Sequence, residues 1–345
     1  MNASRPVPEA PDWSADLADF VACVDWSPDG QWLVAAGSSG PLWRLSASTG
    51  AMEERWAGHE EGTFRAVCSP REARIASVGQ DGHLRLWAPG VPEPLAALRF
   101  ESAWVEQAAW SPDGSLLAAA AGRRVRILKS DGVPLQELDP LPSTVTALTW
   151  DRDGKELLTA SYGRVQRWDA ASRTLREPLP WKTSLISVAI SPDRRWIVAG
   201  TQEQSIQLWE MPYRPGGELA MSGYPGKVRN LAWHYSSRYL ATDGGPEAMV
   251  WDCGGRGPAG TTPRILQGHS RRITVLAYQR AGHLLATGGE DGQVLLWNAG
   301  KSSAPVHRYV FEAPITSLAW NRSDTALAIG TRAGVVAVAK LTSER

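Results

Sequence analysis

Val24-Asp25-Trp26-Ser27-Pro28-Asp29-Gly30-Gln31-Trp32-Leu33 writes a strand, a tight turn and a second strand in ten residues. Pro presets φ for a type I turn, and Asp-Gly supplies a polar end that tolerates left-handed backbone. The phrase returns along the chain. Its anchor at Trp26 recurs as Cys68, Trp110, Trp150, Ile190, Trp233, Tyr278 and Trp320, in steps of 42, 42, 40, 40, 43, 45 and 42 residues. Seven residues after the anchors stand Leu33, Ile75, Leu117, Leu157, Ile197, Leu240, Leu285 and Leu327. Two residues before them stand Val24, Ala66, Ala108, Leu148, Val188, Leu231, Leu276 and Leu318. Strand-like phrases repeated at a period near 40 predict a radially repeated β-architecture.

Each unit reads as four antiparallel strands. A β-like run such as Val145 to Trp150 leads through the turn to an apolar-to-small run such as Leu285-Ala286-Thr287-Gly288. Such runs lack polar alternation, as expected of strands covered on both faces. A second turn, Gln80-Asp81-Gly82 or Glu290-Asp291-Gly292, leads to a third strand ending in Trp87, Trp168, Trp209, Trp251 or Trp297. A more variable fourth strand follows, as at Pro94 to Phe100. Four strands per unit make a propeller blade.

Gly58-His59, Gly268-His269, Trp168-Asp169 and Trp251-Asp252 fall at fixed places in this period. The chain thereby resembles the WD40 repeat family over roughly residues 10 to 345, which implies an all-β propeller. The resemblance further implies a hydrogen-bonded tetrad of His, Ser or Thr, Asp and Trp in complete repeats. Repeat two would place it at His59, Ser77, Asp81 and Trp87, and repeat seven at His269, Thr287, Asp291 and Trp297, with the same offsets of 18, 4 and 6 residues. The other repeats lack the full set, and Leu45, Leu128 and Ala339 replace the third-strand Trp.

Eight repeats predict eight blades, with the family's commoner seven as the alternative. The last repeat reaches only its third strand before Arg345, so the run Asp12 to Leu17 is expected to supply the fourth and close the ring. Closure removes sheet edges that invite aggregation. Residues 1–9 are expected to be a flexible tail and 10–345 one domain.

Lys plus Arg and Asp plus Glu balance at 36 each, so overall charge calls for neither nucleic acid nor an anionic membrane. Neither an apolar leader segment nor a membrane-spanning run is visible, which points to a cytoplasmic protein. Arg outnumbers Lys 30 to 6, the usage of a GC-rich, bacterial genome. Three cysteines make no disulfide framework. Cys23 and Cys68 fall in strand patterns, whereas Cys253, in a Gly-rich loop, reads as an exposed thiol.

The residues that look chemical read mostly as structural. Two of the six histidines are tetrad members, and no His-x-x-x-His or Cys-x-x-Cys pair suggests a metal. The Asp-Gly pairs are turn chemistry. No nucleophile elbow, phosphate loop or dinucleotide fingerprint occurs. Trp-rich quinone-dependent dehydrogenases of eight-bladed form carry Thr-Gly with Trp four residues on; here Thr49-Gly50 occurs once, and Trp56 lies six residues beyond. No catalytic residue, metal or cofactor is expected.

Binding remains. The slot just before each first strand, and the slot two places later, gather Phe20, Phe64 and Trp104 on repeats one to three. The same slots bring Lys227, Arg229 and Arg272 to repeats six and seven, with Arg271 beside them, while Tyr162 and Arg164 lie in a turn of repeat four. Aromatics beside Arg have the composition of interface hot spots. The expectation is a scaffold, monomeric on its own, that binds a protein or peptide with an apolar anchor and acidic groups on its top face. The alternatives are an accessory protein for a small ligand or nucleic acid, and a propeller enzyme.

Overall fold

In the computed structural model, which describes residues 6–101 and 104–341, the repeat becomes a closed ring of antiparallel sheets. The ring's inner wall is made of the first strand of every repeat: Val21–Trp26, Thr63–Cys68, Gln107–Trp110, Ala147–Trp150, the C-terminal part of Thr174–Ile190, Leu231–Trp233, Ile273–Tyr278 and Ile315–Trp320. Each touches the next, and Ile315–Trp320 returns to Val21–Trp26.

Eight repeats are present, but the strands form seven hydrogen-bonded sheets, six of four strands and one of six. The number of separate sheets is therefore the alternative of seven, and the difference from eight lies in one place. Repeats four and five share a sheet because Glu156–Asp169 and Thr174–Ile190 run unbroken through positions where other repeats have loops. Glu156–Asp169 carries the second and third strands of repeat four, reversing at Tyr162-Gly163, where Gly163 takes φ +83°. Thr174–Ile190 carries the outer strand of repeat four and the inner strand of repeat five with no Gly-His connection between them.

The ring closes through the N-terminal strand. Trp13–Asp16 pairs antiparallel with Val335–Lys340, Trp13 facing Val338 and Asp16 facing Val335. Ahead of it, the Glu9 N–H donates to the Arg308 carbonyl at 2.7 Å on the outer strand of repeat seven.

The Trp anchors hold neighbouring repeats together. The indole N–H of Trp26 donates to Ala319 O at 2.8 Å, that of Trp110 to Val67 O at 3.1 Å, and those of Trp150 and Trp320 to Ala109 O and Ala277 O at 3.0 Å. Each acceptor sits one residue before the preceding repeat's anchor, so a single donor ties two inner strands. Thr at the second slot adds a bond in the opposite direction, to the following repeat: Thr146 Oγ1 to Leu185 O at 2.7 Å, and Thr274 and Thr316 to Ile315 O and Val21 O at 2.6 Å. Cys253 is buried rather than exposed, because its loop folds back until Gly257 lies on the Trp196 ring. Burial pushes its thiol up to about 12, which makes it an inert packing group.

Candidate partner-binding face

The two tetrads are formed. His59 Nδ1 meets Asp81 Oδ1 at 2.8 Å, its Nε2 meets Ser77 Oγ at 2.8 Å, and the Trp87 indole donates to the same Oγ at 2.8 Å. In repeat seven the corresponding distances are 3.0, 2.7 and 3.0 Å through His269, Asp291, Thr287 and Trp297. Burial lowers the His59 pKa, which favours the neutral ring, and the Arg85 guanidinium lies 2.6 Å from the same Nδ1 that meets Asp81. Burial alone would raise Asp81, but bonds from Arg85 and His59 hold it at about 2. A carboxyl depressed in the folded state contributes stability above its unfolded value of about 4 and loses it as pH falls through the folded value. Stability measured by urea unfolding should therefore fall as pH is lowered from about 5 to about 2, and Asp81→Asn should flatten that slope.

Repeat six carries a variant that the sequence reading did not find. Tyr224 occupies the His position, 18 residues before Thr242. Its hydroxyl meets Thr242 Oγ1 at 3.0 Å and accepts the Trp251 indole N–H at 2.8 Å. The offset of 18 was a visible signal; the exchange of His for Tyr hid it. In repeats one, three and eight the three inner positions are apolar instead: Leu17, Ala35 and Leu45; Phe100, Ala119 and Leu128; Phe311, Ile329 and Ala339. Replacing every partner of such a network leaves no orphaned donor.

The tetrads brace the face on which the connections into the inner strands emerge. On its aromatic side Phe64 and Trp104 pack edge-on, ring centroids 5.8 Å apart, with Trp104 51% exposed. Tyr162, 56% exposed, stands on the tight turn of repeat four, where its N–H is held by Ser143 Oγ at 3.1 Å. Arg164, beyond the turn, is half-buried. Phe20 is half-buried and carries the Arg332 guanidinium 5.9 Å from its ring, so it is presented less freely than its slot implied. Trp181, which the slot pattern missed, lies half-buried beneath Lys182 at 5.5 Å.

Opposite, Lys227, Arg229 and Arg271 are exposed and Arg272 is half-buried. Among the described residues none of the four takes part in an ion pair. A buried carboxylate holds their loop: Asp243 Oδ1 accepts the Arg229 N–H at 2.8 Å, and Oδ2 accepts Asn230 Nδ2 at 2.7 Å. Burial raises Asp243, against those bonds. The Ile273 N–H donates to Gly245 O at 2.9 Å, which stitches the two basic connections together.

Of the remaining histidines, His234 Nε2 and His283 Nδ1 meet at 3.3 Å on the opposite face, beside the rings of Tyr235, Tyr239 and Tyr278. Among the described residues no three His, Cys, Asp or Glu side chains gather as metal ligands.

Comparison with known proteins follows the same repeat. The WD domain, G-beta repeat family matches residues 14–40, 93–128, 173–210 and 260–298. A ribosome biogenesis protein WDR12 homolog of Chlamydomonas reinhardtii is 24% identical over 83% of this chain. The B-type cell cycle switch protein ccs52B of Medicago truncatula is 26% identical over 88% of it. The matches span 68% and 64% of those two proteins' own lengths. The crystal structure of Sqt1 from Chaetomium thermophilum superposes with a TM-score of 0.83 at 20% identity, covering 97% of this chain and 98% of that one. This last likeness is one of fold.

Proposed function

Because the chain is a β-propeller of WD40 repeats, we propose that it is a non-catalytic scaffold holding a protein or peptide partner across the face of Trp104, Tyr162 and the basic connections. The observation that carries this reading is an exposed Trp104 packed on a half-buried Phe64, on the same face as four cations that have no ion-pair partner among the described residues. Solvent-exposed aromatics lose water on binding and form the centre of most hot spots, while Arg forks onto carboxylates. Acidic groups of the partner would face repeats six and seven, and an apolar anchor would cover Trp104. The carboxylates of Glu60 and Glu61, exposed on repeat two, leave no place for acidic groups on the aromatic side. A scaffold of this kind needs neither cofactor nor membrane; we place it in the cytoplasm, monomeric until its partner binds.

The test is affinity purification from the native host, followed by titration of the recovered partner against variants. Trp104→Ala should weaken binding by about 2 kcal/mol or more, since truncating an aromatic anchor removes desolvated contact. Lys227→Ala should cost little and mainly slow association, and Arg272→Glu should weaken binding in a salt-sensitive way. A footprint confined to the outer strands or the opposite face would overturn the assignment.

A further inference from the structure

The lower half of the central channel, toward the Ser-Pro-Asp-Gly turns, has chemistry that the partner-binding face does not use. A cavity of about 340 Å³ there is lined by Asp25, Arg65, Cys68, Trp110, Thr149 and Arg280, among others. Arg65 comes from the inner strand of repeat two, and Arg280 from just after the inner strand of repeat seven, so the two guanidiniums enter the lumen from different parts of the ring. Both side chains are exposed to it, and among the described residues neither forms an ion pair or a side-chain hydrogen bond. The Arg280 backbone is fixed, its N–H donating to Asp324 Oδ1 at 2.8 Å.

Asp25 is the carboxylate on this stretch of wall. Its Oδ2 accepts the Cys68 N–H at 2.8 Å and its Oδ1 accepts the Trp26 N–H at 2.9 Å, so its oxygens are already engaged with the wall. Burial raises its pKa, against those backbone bonds and the charges of Arg65 and Arg280. Two permanent cations against one carboxylate leave this lower cavity net positive, with Glu106 the carboxylate of the channel wall above it, and low-dielectric walls strengthen that local field. The mouth carries both signs: Arg71 is exposed there and Arg322 is held by its Nη1 bond to Pro70 O at 2.8 Å, beside Asp29 and Asp113, whose carboxylates already accept from Ser27 and Gln31 and from Ser111 and Ser115.

We propose that the lower channel is a binding site for a small phosphate-bearing anion, gripped by Arg65 and Arg280 from two sides and admitted past Arg71 and Arg322. A guanidinium presents a planar fork of N–H donors that matches phosphate geometry, and the cavity admits a phosphate monoester rather than a folded segment. The site is independent of the partner-binding reading, since none of its residues lies on the face assigned to the partner.

Inorganic phosphate titrated into the full chain, against chloride at equal ionic strength, tests this with two readouts. Trp110 lines the cavity, so its fluorescence should change saturably, and the melting temperature should rise with phosphate as binding to the folded state requires. Arg65→Ala and Arg280→Ala should each weaken binding by about tenfold or more, from loss of charge-assisted bonds. Arg65→Lys should retain part of it, and Arg271→Ala, on the opposite face, should leave it unchanged. Glycerol 2-phosphate in a parallel titration distinguishes an ester from the free ion, according to which binds more tightly. The proposal fails if neither gives a saturable response, or if the response survives Arg280→Ala in a variant whose melting point without phosphate is that of the parent.

Discussion

Deleting residues 1–18 should give a chain that aggregates, or that unfolds at much lower urea concentration than the parent. The strand Trp13–Asp16 would be gone, leaving Val335–Lys340 as an open, apolar edge with unpaired N–H and C=O groups. The Asp12 N–H bond to Val338 O at 2.8 Å and the Leu17 N–H bond to Gly334 O at 3.0 Å would go with it. So would the burial of Trp13 and Leu17 in the cluster shared by the first and last repeats, each side chain contributing roughly 1.5–3 kcal/mol. Trp13 also donates its indole N–H to Ala47 O at 2.9 Å and lies on Gly50, where a Cβ would strike its ring. The sum far exceeds the ~0.5 kcal/mol of an ordinary surface change. Size-exclusion chromatography and urea melts decide it, and a monomeric deletion variant with an unchanged midpoint would refute closure by this strand.

Asp291→Ala should destabilise the fold by about 1–3 kcal/mol while leaving partner affinity near that of the parent. Asp291 is a buried hub: it accepts from His269 at 3.0 Å, from the Ser270 N–H at 2.8 Å and from Gln293 Nε2 at 2.7 Å. Burial would raise its carboxyl, yet these donors, with His269 foremost, hold it well below the usual carboxylate range. Removing it strands His269, whose other nitrogen orients Thr287, and through Thr287 the Trp297 indole. Polar networks lose more than one bond when a member is deleted. Denaturant melts paired with binding titrations separate the outcomes: lost binding at unchanged stability would make Asp291 part of a site instead of a brace.

The chain of residues itself determined the repeat and its strands, and a last repeat one strand short pointed to the N-terminal run as its partner. Each strand-turn-strand phrase, such as Val24 to Leu33, acts within about ten residues, so it is written locally and can be read locally. The tetrads were equally legible, because His59 and His269 stand at identical offsets from their partners. What the sequence did not carry is how repeats meet. That Glu156–Asp169 and Thr174–Ile190 run unbroken, merging two repeats into one sheet, depends on cross-strand register such as Tyr162 opposite Ser184. No local signal sets that register. Nor does spacing tell that Thr146, Thr274 and Thr316 spend their hydroxyls on the next repeat's backbone, or that Tyr224 does a histidine's work. The channel is the clearest case. Arg65 and Arg280 lie 215 positions apart in sequence and share one cavity only because the ring closes, so its charge is a property of the tertiary structure alone.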